Sequence, residues 1–396
     1  VFLADTFRKD LLAAGKGNGK HAFCYKKPEG APPGRLTARI IGERWPLPLG
    51  GMPIGAPRLI ARFQHSLGFG LPQPEYAFGP TPAPDAGDEP LCRRLIDAYH
   101  RAVTDQQQAE SAAAAAGSGG AAPTDDMWKM LGSVYHREMI DLMARKDTAG
   151  LADYLRTLYA RPVTHGFLQG EMTTQGLSNP FSARFEAASI MDHLASLAES
   201  IGVLPLECPE QDGRFGDNLF MDADELVARV SEGLGFDITP PHIAGQKFGL
   251  VIKSRTAILD ARDVLSCYAA VRLRELARQA GVASPAVCEI GAGGGQVAYY
   301  ARRLGITDYT IIDLPEVNVV QGYCLGRALG ADAVRLYGEE VDTVRSGVPD
   351  GGAVVRILPT WCYHATRRPR FDVTLNQDSF PEMHPDFATG YIRDAL

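Results

Sequence analysis

The stretch AVCEIGAGGGQVAYYARRLG, from Ala286 to Gly305, constrains the fold more than any other part of the chain. A short apolar run ends in Glu289, a glycine-rich loop follows, and a segment of helical character comes next. Glycines between a strand and a helix let the backbone approach a phosphate or a nucleoside closely. The stretch therefore predicts a loop that holds a nucleotide-like ligand.

The residues after Pro285 alternate between strand and helix patterns. AVCEI is followed by a helical segment, by the strand pattern YTIIDLP (Tyr309 to Pro315), by a second helical segment, and by the strand patterns AVRLYG and FDVTLNQ (Phe371 to Gln377). Alternation at these lengths is typical of a parallel, doubly wound α/β sheet. Ligands of such sheets bind at the carboxyl ends of the strands.

The spacing of the loop distinguishes between two kinds of ligand. A dinucleotide loop has the form G-x-G-x-x-G, but counting from Gly291 and Gly293 the sixth position is Gln296. The motif here is E-x-G-x-G-x-G, and a carboxylate at that strand end suits a cationic amino-acid group better than a pyrophosphate. Asp313 follows Gly295 by eighteen residues and is placed to accept from ribose hydroxyls. This pattern favours S-adenosylmethionine over NAD, although glycines also serve tight turns and an aspartate can cap a helix.

Composition limits the function classes. A chain of 396 residues with 45% hydrophobic and 22% charged residues is expected to form two or three globular domains. The net charge of −7 gives no field that would attract nucleic acid. Seven scattered cysteines without a C-x-x-C pair indicate free thiols and a cytoplasmic location, and we expect neither a membrane span nor a signal peptide. Because the first residue is valine, we expect a piece of a longer polypeptide.

We predict four regions. Residues 1–75 read as a small β-sandwich-like accessory module, with strand periodicity in RLTARIIG and a weak resemblance to modules of bacterial surface-glycan enzymes through FRKDLLAAGKGNGKHAF and PLPLGGMPIG. Residues 76–123 form a Pro/Ala/Gly-rich linker with a short helix, residues 124–252 a helical region, and residues 253–396 the ligand-binding domain.

Two local predictions concern the approach to the glycine loop. TAILDARDVLSCYAAVRLRELARQAG is expected to be one long helix. Its apolar face is predicted to contain Ile258, Leu265, Ala269, Leu273 and Leu276. The segment from Lys247 to Gly249 is predicted to be a lid.

The longer segments around these motifs resemble one family. VCEIGAGGGQVAYYARRLGITDYTIIDLPEVNVVQGYCLGRALG, RLYGEE, VRILPTW and FDVTLNQDSFPEMHPDFATGYI are similar to the sugar O-methyltransferases of bacterial surface-glycan gene clusters. PPHIAGQKFGLVI and RDVLSCYAAVRLREL extend the resemblance to about residues 235–396. The glycine motif is common to class I methyltransferases in general, whereas IIDLPEVN and NQDSFPEM point to this family.

The resemblance implies a Rossmann-like methyltransferase sheet and transfer of a methyl group from S-adenosylmethionine to a sugar, sugar-nucleotide or glycan hydroxyl. The cofactor-binding residues that it implies are Glu289, Gly291, Gly293, Gly295, Asp313 and Leu314. Position in the chain adds Asn376, and also Tyr268 with Arg272, for which a core tyrosine and an exposed arginine are the plainer interpretation. The similarity stops before a seven-stranded sheet would be complete, so we expect the C-terminal strands to be missing.

A sugar hydroxyl needs a base to remove its proton. The candidate bases are Asp378, Glu382 and His384, in the loop after the Phe371 strand, with His364 a weaker candidate. Each has a plain alternative as a cap, a surface acid or a solvated histidine. Two carboxylates at this spacing also permit Mg²⁺, but no residue is assigned to a metal.

Two other functions stay open. One is a nicotinamide-dependent oxidoreductase of doubly wound fold, which Gln296 and Glu289 disfavour. The other is a non-catalytic methyltransferase-like scaffold beside a glycan-binding module.

Overall fold

The computed structural model describes residues 6–7, 20–22, 74–115, 126–162, 170–206, 218, 221–339, 354–365 and 371–395. Contacts divide the chain into two units, Val1–Pro57 and Arg58–Leu396. The described residues of the first unit form one antiparallel pair, β1 (Thr6–Phe7) and β2 (Lys20–Ala22). The rest of the predicted N-terminal β module, RLTARIIG included, lies outside the described residues.

The described part of the second unit contains helices and two sheets. Its described helices are α1 (Asp88–Ala115), α2 (Asp126–Tyr135), α3 (Arg137–Ala144), α4 (Thr148–Arg156), α5 (Gly170–Leu177), α6 (Pro180–Ser200), α7 (Ala223–Leu234), α8 (Ala261–Gln279), α9 (Gln296–Arg303), α10 (Pro315–Leu329), α11 (Cys362–Ala365) and α12 (Pro385–Ala395). Its described strands are β3 (Tyr76–Phe78), β4 (Phe248–Ile252), β5 (Ala257–Leu259), β6 (Ala286–Ile290), β7 (Asp308–Asp313), β8 (Val334–Leu336), β9 (Val354–Pro359) and β10 (Val373–Asn376). Over the described ranges, no helix is both long and apolar enough to cross a membrane.

Local sequence explains where several helices begin and end. Asn179 accepts from the backbone N–H of Phe181 at 2.9 Å, and Pro180 occupies the first turn of α6. Gly235 ends α7 with φ of 80°, a left-handed conformation that favours glycine. Asp260 and Asp263 form a capping box at the start of α8. These capping residues fix the helix boundaries independently of tertiary packing.

Strands β3, β4 and β5 form an antiparallel sheet with β4 in the middle. Phe248 is 1% exposed, and a Cβ on Gly249 would come within 2.4 Å of the carbonyl oxygen of Leu259. The predicted lid at Lys247 to Gly249 is therefore wrong, because two of its residues belong to a buried central strand. Ile258, predicted to be helical, lies in β5.

A parallel sheet of five strands, in the order β10-β6-β7-β9-β8, forms the centre of the α/β domain. Side chains alternate between its two faces. Val287 and Tyr309 belong to the main core, whereas Cys288 and Ile312 belong to a second cluster with Tyr391 of α12. Burial on both faces is typical of parallel sheets. The predicted α/β class is confirmed; strands beyond β10 are not among the described residues of this sheet.

Helix α1, the first described helix of the unit, is longer than predicted and belongs to the core. Within the segment 76–123, expected to be a linker with a short helix, α1 has 28 residues. Leu91 and Leu95 of α1 are 2% and 1% exposed, and α1 packs against α4 and α10. Its sequence pattern is helical, but only the fold shows what covers its apolar face.

The buried face of α8 also differs from the prediction. Leu265 and Leu276 are 45% and 44% exposed, whereas Val264 and Cys267 are buried with Leu273. Apolar residues occur on more than one side of this helix, so the contacts with α6 and α9 decide which side is covered.

Candidate functional site at the carboxyl edge of the parallel sheet

The order of the strands in the parallel sheet indicates where a ligand site is expected. From β6 the chain passes to β7 on one side, and β10 is later added on the other side of β6. Such a reversal opens a crevice at the carboxyl ends of the two strands that flank it. The glycine loop follows β6, and the loop from Gln377 to Ser379 follows β10. The two loops predicted to hold cofactor and acceptor thus meet at the switch point.

The glycine loop requires its glycines. Gly291, Gly293 and Gly295 have φ of 72°, 54° and 81°, which non-glycine residues rarely adopt. A Cβ on Gly291 would lie 2.2 Å from the hydroxyl oxygen of Ser379. The loop after β10 therefore packs directly on the glycine loop, and a side chain at position 291 would separate them.

Asp313 ends β7 and ties that strand to the glycine loop. One of its carboxylate oxygens accepts from the N–H of Ala292 at 3.0 Å and from the amide nitrogen of Gln321 at 2.6 Å. The other oxygen accepts from the N–H of Leu314 at 2.8 Å. Burial raises the pKa of Asp313 to about 7, although these three donors oppose the shift. Gln321 was missed in the sequence reasoning; the signal was a glutamine inside the otherwise apolar run of α10.

Glu289 lies inside the protein at the end of β6. It is 2% exposed and accepts from the hydroxyl of Tyr309 at 2.8 Å. Burial raises the pKa of Glu289 to about 7, with the hydroxyl opposing and the charge of Asp313 adding to the shift. The two acids predicted from the motif are thus on neighbouring strands, held by N–H and O–H donors.

Asn376 joins the ends of β6 and β10. Its amide nitrogen donates to the carbonyl oxygen of Ile290 at 2.8 Å and contacts the hydroxyl of Ser379, and its oxygen accepts from the N–H of Phe380 at 3.2 Å. These contacts give Asn376 a structural role at the predicted site. Contact with a cofactor stays a prediction.

The three candidate bases are exposed. Asp378 adopts the left-handed region with φ of 65° and precedes Ser379, which contacts Gly291. Glu382 ends a single 3₁₀ turn, and His384 accepts from the N–H of Asp386 at 3.3 Å. Over the described ranges no three His, Cys, Asp or Glu side chains are grouped in a way that would hold a metal ion. Asp378 is thus the candidate base nearest in sequence to the glycine-loop contact.

Tyr268 lies on α8 and is 42% exposed. It does not line the described cavity beside the glycine loop, which has a volume of about 60 Å³ and is bordered by Gly294, Gly295 and Gln296. The structure places Tyr268 on an outer face of its helix, and its contact with a cofactor stays a prediction.

A buried ion group borders the same cavity and was missed in the sequence reasoning. The Lys247 ammonium contacts the carboxylate of Asp263 and lies 3.6 Å from that of Asp260. Burial, together with the charge of Asp260, raises the pKa of Asp263 to about 7. Burial opposes a charged lysine, but the two carboxylates together raise the pKa of Lys247. The capping residues at the start of α8 therefore also hold the buried positive charge of Lys247.

Strand β9 was not predicted, and it changes the surroundings of Asp313. Its pairing with β7 sets Pro359 opposite Asp313, so Thr360 and Trp361 follow at the same edge of the sheet. His364 belongs to α11, directly after this strand. The residues predicted from AVRLYG form β8, one strand further out.

Asp313 keeps capacity to accept a further hydrogen bond. A carboxylate accepts up to about four hydrogen bonds, of which Asp313 has three. Comparisons of the chain with protein-family models, curated proteins and solved structures give no match. The described fold defines an α/β protein with a parallel five-stranded sheet and a glycine loop at its switch point, and further assignment depends on the geometry of that site.

Proposed function

We propose that the chain is an S-adenosylmethionine-dependent O-methyltransferase whose acceptor is a hydroxyl of a sugar, a sugar nucleotide or a glycan. The observation that carries this proposal is the hydrogen bond from the N–H of Ala292 to Asp313. It holds the glycine loop and the acid of the next strand together, so that one ligand can contact both.

The charges at the loop favour this cofactor over a dinucleotide. Glu289 and Asp313 have O–H and N–H donors as their hydrogen-bond partners and no cation among them. Buried carboxylates without a counter-charge repel a pyrophosphate and attract a sulfonium or ammonium group. Gln296, where a dinucleotide loop has its third glycine, agrees with this preference.

Different residues would contact different parts of the cofactor. Asp313 would accept from the ribose hydroxyls with its remaining acceptor site, and Gln321 holds that carboxylate in place. The N–H groups of Gly293 and Gly294, together with the Leu314 side chain, would contact the rest of the nucleoside. When bound, the cofactor supplies a methyl group already activated by a positively charged sulfur.

On the acceptor side, alignment of the hydroxyl and removal of its proton remain to be done by the protein. Asp378 is the best placed of the three candidate bases, because its neighbour Ser379 contacts Gly291 at the switch point. Its exposure leaves it accessible to a sugar. Glu382 and His384 lie further along the same loop.

The test is calorimetric titration with S-adenosylhomocysteine and, separately, with NADH. We expect saturable binding of S-adenosylhomocysteine that weakens at least tenfold, roughly 1.4 kcal/mol, in Asp313→Ala. The matched control is Asp308→Ala, at the opposite end of β7, where the acid pairs with Arg356. The control should bind S-adenosylhomocysteine as the wild type does. NADH binding in its place, or equal losses in both variants, would contradict the proposal.

A further inference from the structure

Helix α8 has a second apolar side, which is exposed. Leu265, Tyr268 and Leu276 are 45%, 42% and 44% exposed, and Arg272, between the last two, is exposed as well. Steps of three, four and four residues place these four side chains on one face of the helix. We call the four residues the outer stripe. The contacts of α8 with α6 and α9 cover the buried side of the helix and leave the outer stripe open.

The outer stripe concentrates exposed apolar surface. Nine large apolar side chains are exposed in the described part of the chain, and three of them belong to this one stripe. Single exposed apolar residues are ordinary on protein surfaces, whereas a group of them marks a surface that contacts another molecule. Tyr268 does not line the cavity beside the glycine loop, so the candidate site gives no reason for the group.

The outer stripe is nearly symmetric about its midpoint, which lies between positions 270 and 271. Leu265 is five positions before 270, and Leu276 is five positions after 271. Tyr268 is two positions before 270, and Arg272 is one position after 271. When two copies of α8 lie antiparallel about a two-fold axis at this midpoint, each Leu265 faces the other copy's Leu276, and each Tyr268 faces the other copy's Arg272. The stripe is therefore complementary to itself, as an isologous interface requires.

The two kinds of pair are favourable for different reasons. Each leucine pair removes apolar surface from water. Each Arg272 guanidinium would lie over a tyrosine ring of the other copy, and the face of an aromatic ring attracts a cation. A parallel pairing would instead set Arg272 against its own counterpart, and like charges repel. Glu275, beside the stripe, already pairs with Arg278 of the same helix at 2.8 Å, so its charge does not oppose the contact.

We propose that the outer stripe is an interface with a second copy of this chain, in which the two α8 helices pack antiparallel. The contact from Leu265 to Leu276 is about 17 Å long at a rise of about 1.5 Å per residue. One helix pair of that length buries less surface than the roughly 1,200 Å² at which stable interfaces begin. The association is therefore weak and depends on protein concentration. Because the stripe contains no residue of the glycine loop, this inference is independent of the proposed function.

Sedimentation velocity of the full chain, from about 1 to about 100 μM, tests the interface. We expect the wild type to change from monomer to dimer within that range. Leu265→Glu and, separately, Leu276→Lys should each weaken the association by about tenfold or more, because each variant sets a charge against a leucine twice in the dimer. The double variant should regain the association, since the introduced acid of each copy then faces the introduced base of the other.

The matched control is Ile392→Glu on α12, where the side chain is 48% exposed. It should associate as the wild type does. Since all these side chains are exposed, thermal unfolding of every variant should stay close to that of the wild type, which separates loss of pairing from loss of the fold.

Three outcomes would overturn the inference. A wild type that stays monomeric over the whole range has no such interface. A dimer that persists in both single variants uses another surface. Loss of the dimer in the single variants without recovery in the double variant would contradict the antiparallel pairing of Leu265 with Leu276. None of these outcomes changes the standing of the methyltransferase proposal, because no cofactor takes part in the experiment.

Discussion

Asp260 and Asp263 lie against the ammonium of Lys247, whereas Glu289 and Asp313 are held by hydroxyl and amide donors alone. Asp263 borders the cavity beside the glycine loop, and Asp313 accepts from the N–H of Ala292 in that loop. Within the described part of the chain, the first pair contacts a cation and the second pair contacts none. The difference separates acids that hold the fold together from acids that would gain from a positively charged ligand.

The pKa directions express this contrast. Burial raises the pKa of Glu289 and of Asp313 to about 7, and no side-chain cation pulls either back. One lysine serves two carboxylates in the other group, so the pKa of Asp263 also rises, but Lys247 stays charged. A cationic ligand at the glycine loop would supply a positive charge near Glu289 and Asp313, as Lys247 does for Asp260 and Asp263.

The largest expected effect is on stability, from removal of that lysine. Lys247→Met leaves two buried carboxylates without a counter-charge and should lower the free energy of unfolding by about 3–5 kcal/mol. Urea denaturation measures it. The triple variant with Asp260→Asn and Asp263→Asn should recover most of the loss, because neither charge then remains and asparagine still caps the helix. A loss below about 1 kcal/mol in the single variant would mean that the group is not buried as described.

The second effect depends on pH. The ordinary pKa of 4.5 for a glutamate rises to about 7 for Glu289, so the folded protein keeps a proton that the unfolded chain releases in this interval. The stability from this group is full below pH 4.5 and is lost as pH rises through about 7. Glu289→Gln keeps an acceptor for Tyr309 and cannot ionise. Its stability relative to wild type should therefore grow by about 3 kcal/mol between acidic and mildly alkaline pH.

Urea denaturation of the ligand-free protein at several pH values measures this change. The matched control is Glu275→Gln, on α8, where Arg278 and Gln279 lower the pKa of Glu275 to about 2. About one pH unit above its ordinary pKa that acid is charged in both the folded and the unfolded state, so from there upward the control should run parallel to wild type. A parallel course for Glu289→Gln as well would remove the distinction between the two pairs of acids.

The smallest expected effect concerns the hydrogen bond from Tyr309 to Glu289. Tyr309→Phe removes the hydroxyl that donates to Glu289 and should cost about 1 kcal/mol at acidic pH. Because that donor stabilises the charged carboxylate, its loss raises the pKa of Glu289 further, and the variant should continue to lose stability above the pH at which wild type levels off. The same denaturation series checks both points. If both proteins level off at the same pH, the hydroxyl does not act on the carboxylate.

Local pattern was sufficient for part of this structure. Strands β6, β7 and β10 and the glycine loop were predicted where they lie, because an apolar run, a glycine cluster and a following helix are all encoded within a few residues. The parallel sheet followed from their alternation. The same reasoning predicted that Asp313 lies at the carboxyl edge of this sheet, where the glycine loop also lies.

The features that the sequence did not predict depend on contacts between residues that are separated in the chain. Lys247 contacts Asp263 across sixteen positions, and Gln321 reaches Asp313 only because the chain turns between β7 and α10. The exposed face of α8, with Leu265, was mispredicted because neighbouring helices choose the buried side. The pairing of β9 with both β7 and β8 is a further long-range contact, and no local sequence signal predicts it.

The position of β9 has a consequence for synthesis and folding. Residues 308–313 emerge well before their partner strand, which begins at Val354. Until that later segment arrives, one side of β7 presents unpaired N–H and C=O groups, and β8 has no neighbour on its inner side. Open strand edges recruit other chains, and pairings between distant residues form slowly. The centre of this sheet therefore closes only after β6, β7 and β8 have all emerged, and the nascent chain is exposed to mispairing until β9 follows.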